Sequence, residues 1–258
     1  MAHAARDLKS LIGPSPCTDR GPQPLPLGIS AIDVALPDGG LPRGQITEVA
    51  VHNSGLATSW GLWACRAAQL DARRMGVEAW CAFVDPTQSL FAPAIAAAGV
   101  DAQRLLVVQP TLEAMDRVAV KLAEAQIFSV VVVDLVSTQW FEPEGRSDVS
   151  TLALSRWVKI VRRLSLSIQG TATQIVLLTD LTAHRALPLP VALRLELQRT
   201  SQDRLRLTVA KDKLGRTRAP ISLDTTNLLP EVYTGRSLRG NLEPKSTRKF
   251  DSTLAIAS

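Results

Sequence analysis

"GQITEVAVHNSGLATSW", residues 44–60, decides the fold. An apolar run that reads as a strand leads into a polar turn ending at Gly55 and then into a helical pattern, which is the setting of a phosphate-binding loop. The working loop reads G-x-x-x-x-G-K-[ST]. Glycine lets the backbone wrap phosphates, lysine reaches the outer phosphates, and the hydroxyl holds magnesium. Counted back from Gly55, the first glycine falls on Ala50, the lysine on Leu56 and the hydroxyl on Ala57. A hydrogen bond to a charged partner contributes roughly 1.5–3 kcal/mol, and about 1.4 kcal/mol is tenfold in affinity. The two losses therefore predict nucleotide binding weakened by orders of magnitude. Thr58 and Ser59 could supply a hydroxyl only through a register shift, and the closest cations in sequence are Arg43 and Arg66. The bland alternative is that "NSGLATSW" is simply a loop entering a helix.

Outward from this stretch, strand and helix patterns alternate. "EAWCAFVD", "RLLVVQP", "FSVVVVDLV" and "TQIVLLTD" read as strands, with helices expected over 58–74, 89–98, 112–126 and 150–168. Near-continuous apolar strands separated by helices predict an α/β fold: a mostly parallel sheet flanked by helices. Further on, "VALRLELQRT" and "DRLRLTVAKDK" alternate apolar and polar residues around a short turn, which predicts an antiparallel extension near the C-terminal end. Three units are expected: an N-terminal arm and Pro/Gly-rich linker over 1–24, a core over 25–223, and a C-terminal tail over 224–258. In the arm, Ala5, Leu8 and Ile12 share helical spacing. The helix from Thr151 to Ile168 sets Arg156, Lys159, Arg162 and Arg163 against Leu154, Trp157, Val158, Val161 and Leu164; its basic face is either solvated or a contact for phosphate or an acidic partner.

At 258 residues the chain is long enough for a single α/β core with flanking arms. No uninterrupted apolar run has membrane-spanning length, and Asp7 interrupts a start that lacks a long apolar core, so a soluble, cytoplasmic protein is expected. Cys17, Cys65 and Cys81 have no metal-ligand spacing; Cys65 and Cys81 read as small core residues. His3, His52 and His184 lie far apart, and no metal is expected. A net charge of +5 permits nucleic acid or an acidic protein as partner without requiring either.

Taken together, "LPLGISAIDVALPDGGLPRGQITEV", "CAFVDPTQSL", "GVDAQRLLVVQP", "VVVVDLVS", "TQIVLLTD" and "RLELQR…RLTVAKDKLGR" resemble the RecA family in order and spacing from about Leu25 to Leu223. The resemblance implies roles that can be checked position by position. The family's magnesium-assisting acid matches Asp134. Its water-activating glutamate falls on Thr87, which does not accept the water's proton at neutral pH. Its phosphate-sensing glutamine falls near Asp180, a repulsive carboxylate, while the two lysines that reach a neighbour's nucleotide match Lys211 and Lys213. The first DNA-binding loop corresponds to "QWFEPEGRSD", with three acids against one arginine, and the second shrinks to "TAHRALPLP". Arg and Lys dominate affinity for phosphates, so weak or absent DNA binding is expected; Trp140 and Phe141 remain candidates for base stacking.

A RecA-like core with leucine for lysine, threonine for the base and eroded DNA loops resembles the ImuA family, once described as SulA-like. That resemblance implies a non-catalytic role in damage-induced (SOS) mutagenesis and translesion synthesis, with RecA and ImuB as partners and an error-prone DnaE-type polymerase nearby. No ATP, other cofactor or catalytic residue is expected; Gly55, Leu56, Ala57, Thr58, Thr87 and Asp134 would be remnants of a nucleotide site. In the tail, Leu228, Leu229, Tyr233, Arg236, Leu238, Arg239, Lys245, Arg248 and Lys249 are candidate partner contacts, unless the terminus is merely a loose end. Two other readings stand beside this one: an ATP-dependent recombinase-like enzyme, and a cell-division inhibitor of the SulA type.

Overall fold

A four-valine run, Val130–Val133, lies at the heart of the molecule, where β-branched side chains pack well on both sides of a pleated strand. The computed structural model describes residues 23–52, 56–136, 147–182, 188–225 and 228, with 147–155 as backbone alone. The strands are β1 (Ile46–Val51), β2 (Trp80–Val84), β3 (Leu105–Val108), β4 (Phe128–Asp134), β5 (Gln174–Asp180), β6 (Leu193–Ser201), β7 (Arg204–Asp212) and β8 (Ile221–Asp224). The helices are α1 (Ser30–Ala35), α2 (Ala57–Arg74), α3 (Ala92–Ala97), α4 (Met115–Ala125) and α5 (Ser147–Ile168), with a short 3₁₀ turn at Ala102–Arg104.

All eight strands join one sheet in the order β3-β2-β4-β5-β1-β6-β7-β8. The pairs from β3 through β6 are parallel, whereas β7 pairs antiparallel with β6 and β8 antiparallel with β7. This is the α/β architecture the alternating pattern predicts. The eighth strand is an addition: Pro220 and the polar neighbours of Ile221 and Leu223 hide a strand of only four residues. Helix α3 is also shorter than its pattern suggests. The Asp85 carboxylate takes the N–H groups of Ser89 and Leu90, so the chain stays extended through Phe91 before the helix can begin.

Two apolar layers sandwich the sheet. One collects α1 and α2 with Val49, Val51, Phe83, Val132, Leu195 and Leu207. The other collects α4 and α5 with Ile46, Val131, Val133, Ile175 and Leu177. Helix α2 comes very close to the sheet at Gly61, where an added Cβ would sit 2.7 Å from a Phe83 ring carbon and 2.8 Å from a Val132 methyl. Cys65 and Cys81 are buried in this layer as free thiols, as core packing predicts. The hydrogen bond shared with Cys81, together with burial, pushes the Cys65 thiol well above its usual range.

Packing continues beyond Leu223. Asp224 closes β8, the Thr225 N–H donates to the Asp203 carbonyl at 2.9 Å, and Leu228 is buried in the first apolar layer. Leu228 thus serves the core, not a free tail. Among the described residues, no helix is long and apolar enough to cross a membrane.

Candidate functional site

Parallel strands present their C-terminal ends along one edge of the sheet, and ligands of open α/β folds bind in the crevice outside that edge. Here the edge carries the ends of β1, β2, β4 and β5, with the start of α2 facing β1. Residues 52–56 connect β1 to α2. β1 pairs through Val51, so the first two positions counted for the loop, Ala50 and Val51, belong to the strand. Ala50, the position counted as the first glycine, lies inside β1, fully buried and paired with Thr179 and Glu196. It is a ladder residue and cannot curl around a phosphate.

Gly55 lies outside the described residues. Leu56 occupies the N-cap of α2, its carbonyl accepting the Trp60 N–H at 3.0 Å, and its half-buried side chain packs on the first apolar layer. Apolar burial therefore fixes the side chain that would have to be a mobile cation. Ala57, the first helical residue, is buried, and Thr58 is half-buried. Neither sequence-adjacent arginine supplies a substitute: Arg43 lies before β1, at the opposite end of the strand, and pairs with Asp71, while the Arg66 side chain lies against Gly99.

Three carboxylates stand at strand ends along this edge, and each is engaged by its own turn. Asp85, after β2, is fully buried; one oxygen accepts the Ser89 N–H at 3.1 Å and the Ser89 hydroxyl at 3.2 Å, the other the Leu90 N–H at 2.8 Å. Thr87 lies 3.5 Å from Asp85 through its hydroxyl, another tie within the same turn. Asp134, closing β4, is buried and accepts the Val136 N–H at 3.0 Å. Asp180, closing β5, accepts both the N–H and the hydroxyl of Thr182 at 2.6 Å. An aspartate that caps the turn after a strand needs no metal to explain it.

The two lysines fall at the other end of the sheet. Lys211 pairs across the ladder with Arg194, and Lys213 is exposed, its N–H donating to the Ala192 carbonyl at 2.8 Å. Between them Asp212 is tied to Arg216, which also grips Asp38 through two hydrogen bonds of 2.5 and 2.9 Å. The Arg216 guanidinium holds both carboxyl groups below the usual carboxylate range, and they raise its own pKa in turn. On the basic face of α5, Arg156 pairs with Asp116 and Arg163 with Glu124, both acids of α4. Much of that face is thus spent on holding two helices together. Trp140, Phe141 and most of both loops aligned with DNA-binding segments lie outside the described residues, as do Leu229, Tyr233, Arg236, Leu238, Arg239, Lys245, Arg248 and Lys249.

One polar cluster gives no sign of itself in the sequence. Glu48, in the middle of β1 and fully buried, accepts the Thr179 hydroxyl at 2.8 Å and lies 3.6 Å from the Arg194 guanidinium, which also binds Glu196 at 3.0 Å. The cluster links the three neighbouring strands β5, β1 and β6. In sequence Glu48 is a single acid within "ITEVAV", and only strand order brings its partners to it.

A parallel sheet with this strand order, an antiparallel C-terminal extension and a nucleotide-loop position after β1 defines a RecA-like α/β core. The RecA N-terminal domain profile matches residues 19–185, and the chain belongs to that family. Protein RecA of Cutibacterium acnes is 29% identical over 218 aligned residues, covering 74% of this chain and 61% of the relative. Protein RecA of Salinispora tropica is 30% identical over the same extent. That of Symbiobacterium thermophilum reaches 41% over 114 residues, 44% of this chain and 31% of the relative. The chain spans about three-fifths of the length of the first two relatives.

Proposed function

We propose that this RecA-family chain is a non-catalytic accessory protein of the ImuA type. It acts in damage-induced mutagenesis and translesion synthesis as an adaptor or modulator of RecA and ImuB, beside an error-prone DnaE-type polymerase. The observation that carries this reading is Leu56: the position reserved for the phosphate-binding lysine holds an apolar side chain packed into the core layer. The ladder position of Ala50, buried Ala57 and the self-capped acids Asp85, Asp134 and Asp180 support it. With nucleotide chemistry absent, the family's protein-contacting surfaces are what the fold has left to offer, and the basic, leucine-bearing tail adds a further one.

Thermal denaturation with and without Mg-ATP tests the lost site, because a ligand at about 100 times its Kd stabilises the native state by ~2.7 kcal/mol. No shift of the midpoint is expected at millimolar Mg-ATP, either for the natural chain or for the double variant Leu56→Lys, Ala57→Thr, in which Ala50, the counted first-glycine position, still lies in the β1 ladder. A rise of several degrees in the natural chain would overturn the reading in favour of a nucleotide-dependent enzyme. For the partner, RecA filament assembly in the presence of excess protein is expected to change, and assembly unaffected by it would remove RecA modulation.

A further inference from the structure

We infer that the chain's own tail, from Leu229 through Tyr233, docks in an apolar groove between α1 and the β7–β8 edge of the sheet. The groove holds about 540 Å³ and is lined chiefly by Ala31, Val34, Ala35, Leu207, Val209 and Ile221. Val34 is 74% exposed beside it, an apolar side chain on a rim that nothing in the described chain covers.

The point where the packed chain ends identifies the occupant. Thr225 is bonded to Asp203 at the β6–β7 turn, and Leu228, bonded to Thr225, is buried in the same apolar layer as Leu205 and Leu223. The groove opens further along that face, at Leu207 and Val209. At about 3.3 Å per residue, the path from Leu205 to Val209 is ~13 Å, and residues 229–233 extended reach ~16 Å. The sequence that must cross this distance is "LPEVY"; extended, it sets Leu229 and Tyr233 on one face, towards the apolar floor, with Glu231 between them to meet Arg218 on the rim. Pro230 has no N–H to give to a ladder, which favours lying on the face over adding a ninth strand beside β8. Docked there, Leu229 and Tyr233 are withheld from an outside partner until it displaces them.

Disulfide trapping in the full-length chain tests this. Val34→Cys is combined in turn with Glu231→Cys and with Tyr233→Cys, and Leu166→Cys, 72% exposed on α5 against the opposite layer, replaces Val34→Cys in the controls. Cys17 is kept as a built-in reporter for the N-terminal arm. After mild oxidation the bonds are mapped by mass spectrometry. A bond within one chain from position 34 to 231 or 233 is expected to form at least about tenfold faster than from position 166, because bridging requires Cα atoms within ~7 Å. Equal rates from positions 34 and 166 would overturn the inference. So would a bond between two copies, which gives the groove to a second molecule, or a bond from position 34 to Cys17, which gives it to the arm.

Discussion

At the scale of single residues, the same side-chain types do different work according to what their neighbours require. Leu56 has the address of a ligand-binding cation and the contacts of a core residue. Asp134 has the address that the RecA pattern gives to a magnesium-assisting acid and the hydrogen bond of a turn cap. Arg216 is tied to two carboxylates, Asp38 and Asp212, and it yields a prediction about pH. It depresses the Asp38 and Asp212 carboxyl groups in the folded state, while in the unfolded chain they return to about 3.9. A depressed carboxylate contributes stability that is present above the unfolded value and is lost as pH falls through the folded one. Arg216→Ala is therefore expected to melt below the natural chain, with a gap that is constant above about pH 5 and narrows as pH falls below the unfolded value of about 3.9. Melting curves across that range check this; a gap unchanged at the acid end would assign the effect to the arginine's packed stem.

At the scale of elements, α2 lies against four strands, β1, β2, β4 and β5, and Gly61 is where it comes very close to the sheet. Alanine in place of glycine favours a helix by about 1 kcal/mol. Here the new methyl would meet Phe83 at 2.7 Å and Val132 at 2.8 Å, and overpacking a well-filled layer costs about 1–3 kcal/mol. The clash outweighs the propensity, so Gly61→Ala is expected to lower the denaturant midpoint, and a higher midpoint would show that α2 can lift off the sheet freely. Elements of this kind were legible in the sequence because their apolar periodicity is long: β4, β5 and α2 lie within a residue or two of where the pattern sets them. Three things were not. Helix α3 is cut short by the Asp85 hydrogen bonds, a local competition that periodicity ignores. Strand β8 is too short to alternate visibly. The Glu48–Thr179–Arg194 cluster depends on β5 and β6 both flanking β1, and strand order is a non-local property. At the candidate site, that leucine and threonine stand where the RecA pattern has lysine and the water-activating glutamate was readable by spacing. That Ala50 lies within the β1 ladder was not, because counting from Gly55 backwards says nothing about where β1 stops pairing.

At the scale of the whole molecule, what matters is where the packed chain ends, since that decides how a role for the tail can be separated from damage to the core. Leu228 belongs to the core layer, and the Thr225–Asp203 bond anchors the approach to it. A chain ending at Leu223 loses both. Removing a buried leucine side chain costs ~2 kcal/mol or more, which lowers the midpoint of a domain this size by about 5 °C, so the chain ending at Leu223 is expected to melt at least that far below one ending at Leu228. Equal midpoints would mean that Leu228 adds nothing to the core. The same pair then separates two explanations for any loss of RecA binding. A surface carried by the tail is lost in both truncations, including the longer one whose core is whole, whereas a surface carried by the core survives in the chain ending at Leu228 and weakens only in the destabilised chain ending at Leu223. Measuring RecA binding with the full-length chain and both truncations below the lower midpoint is expected to show loss in both, and retention by the chain ending at Leu228 would move the partner surface from the tail to the sheet and helices of the core.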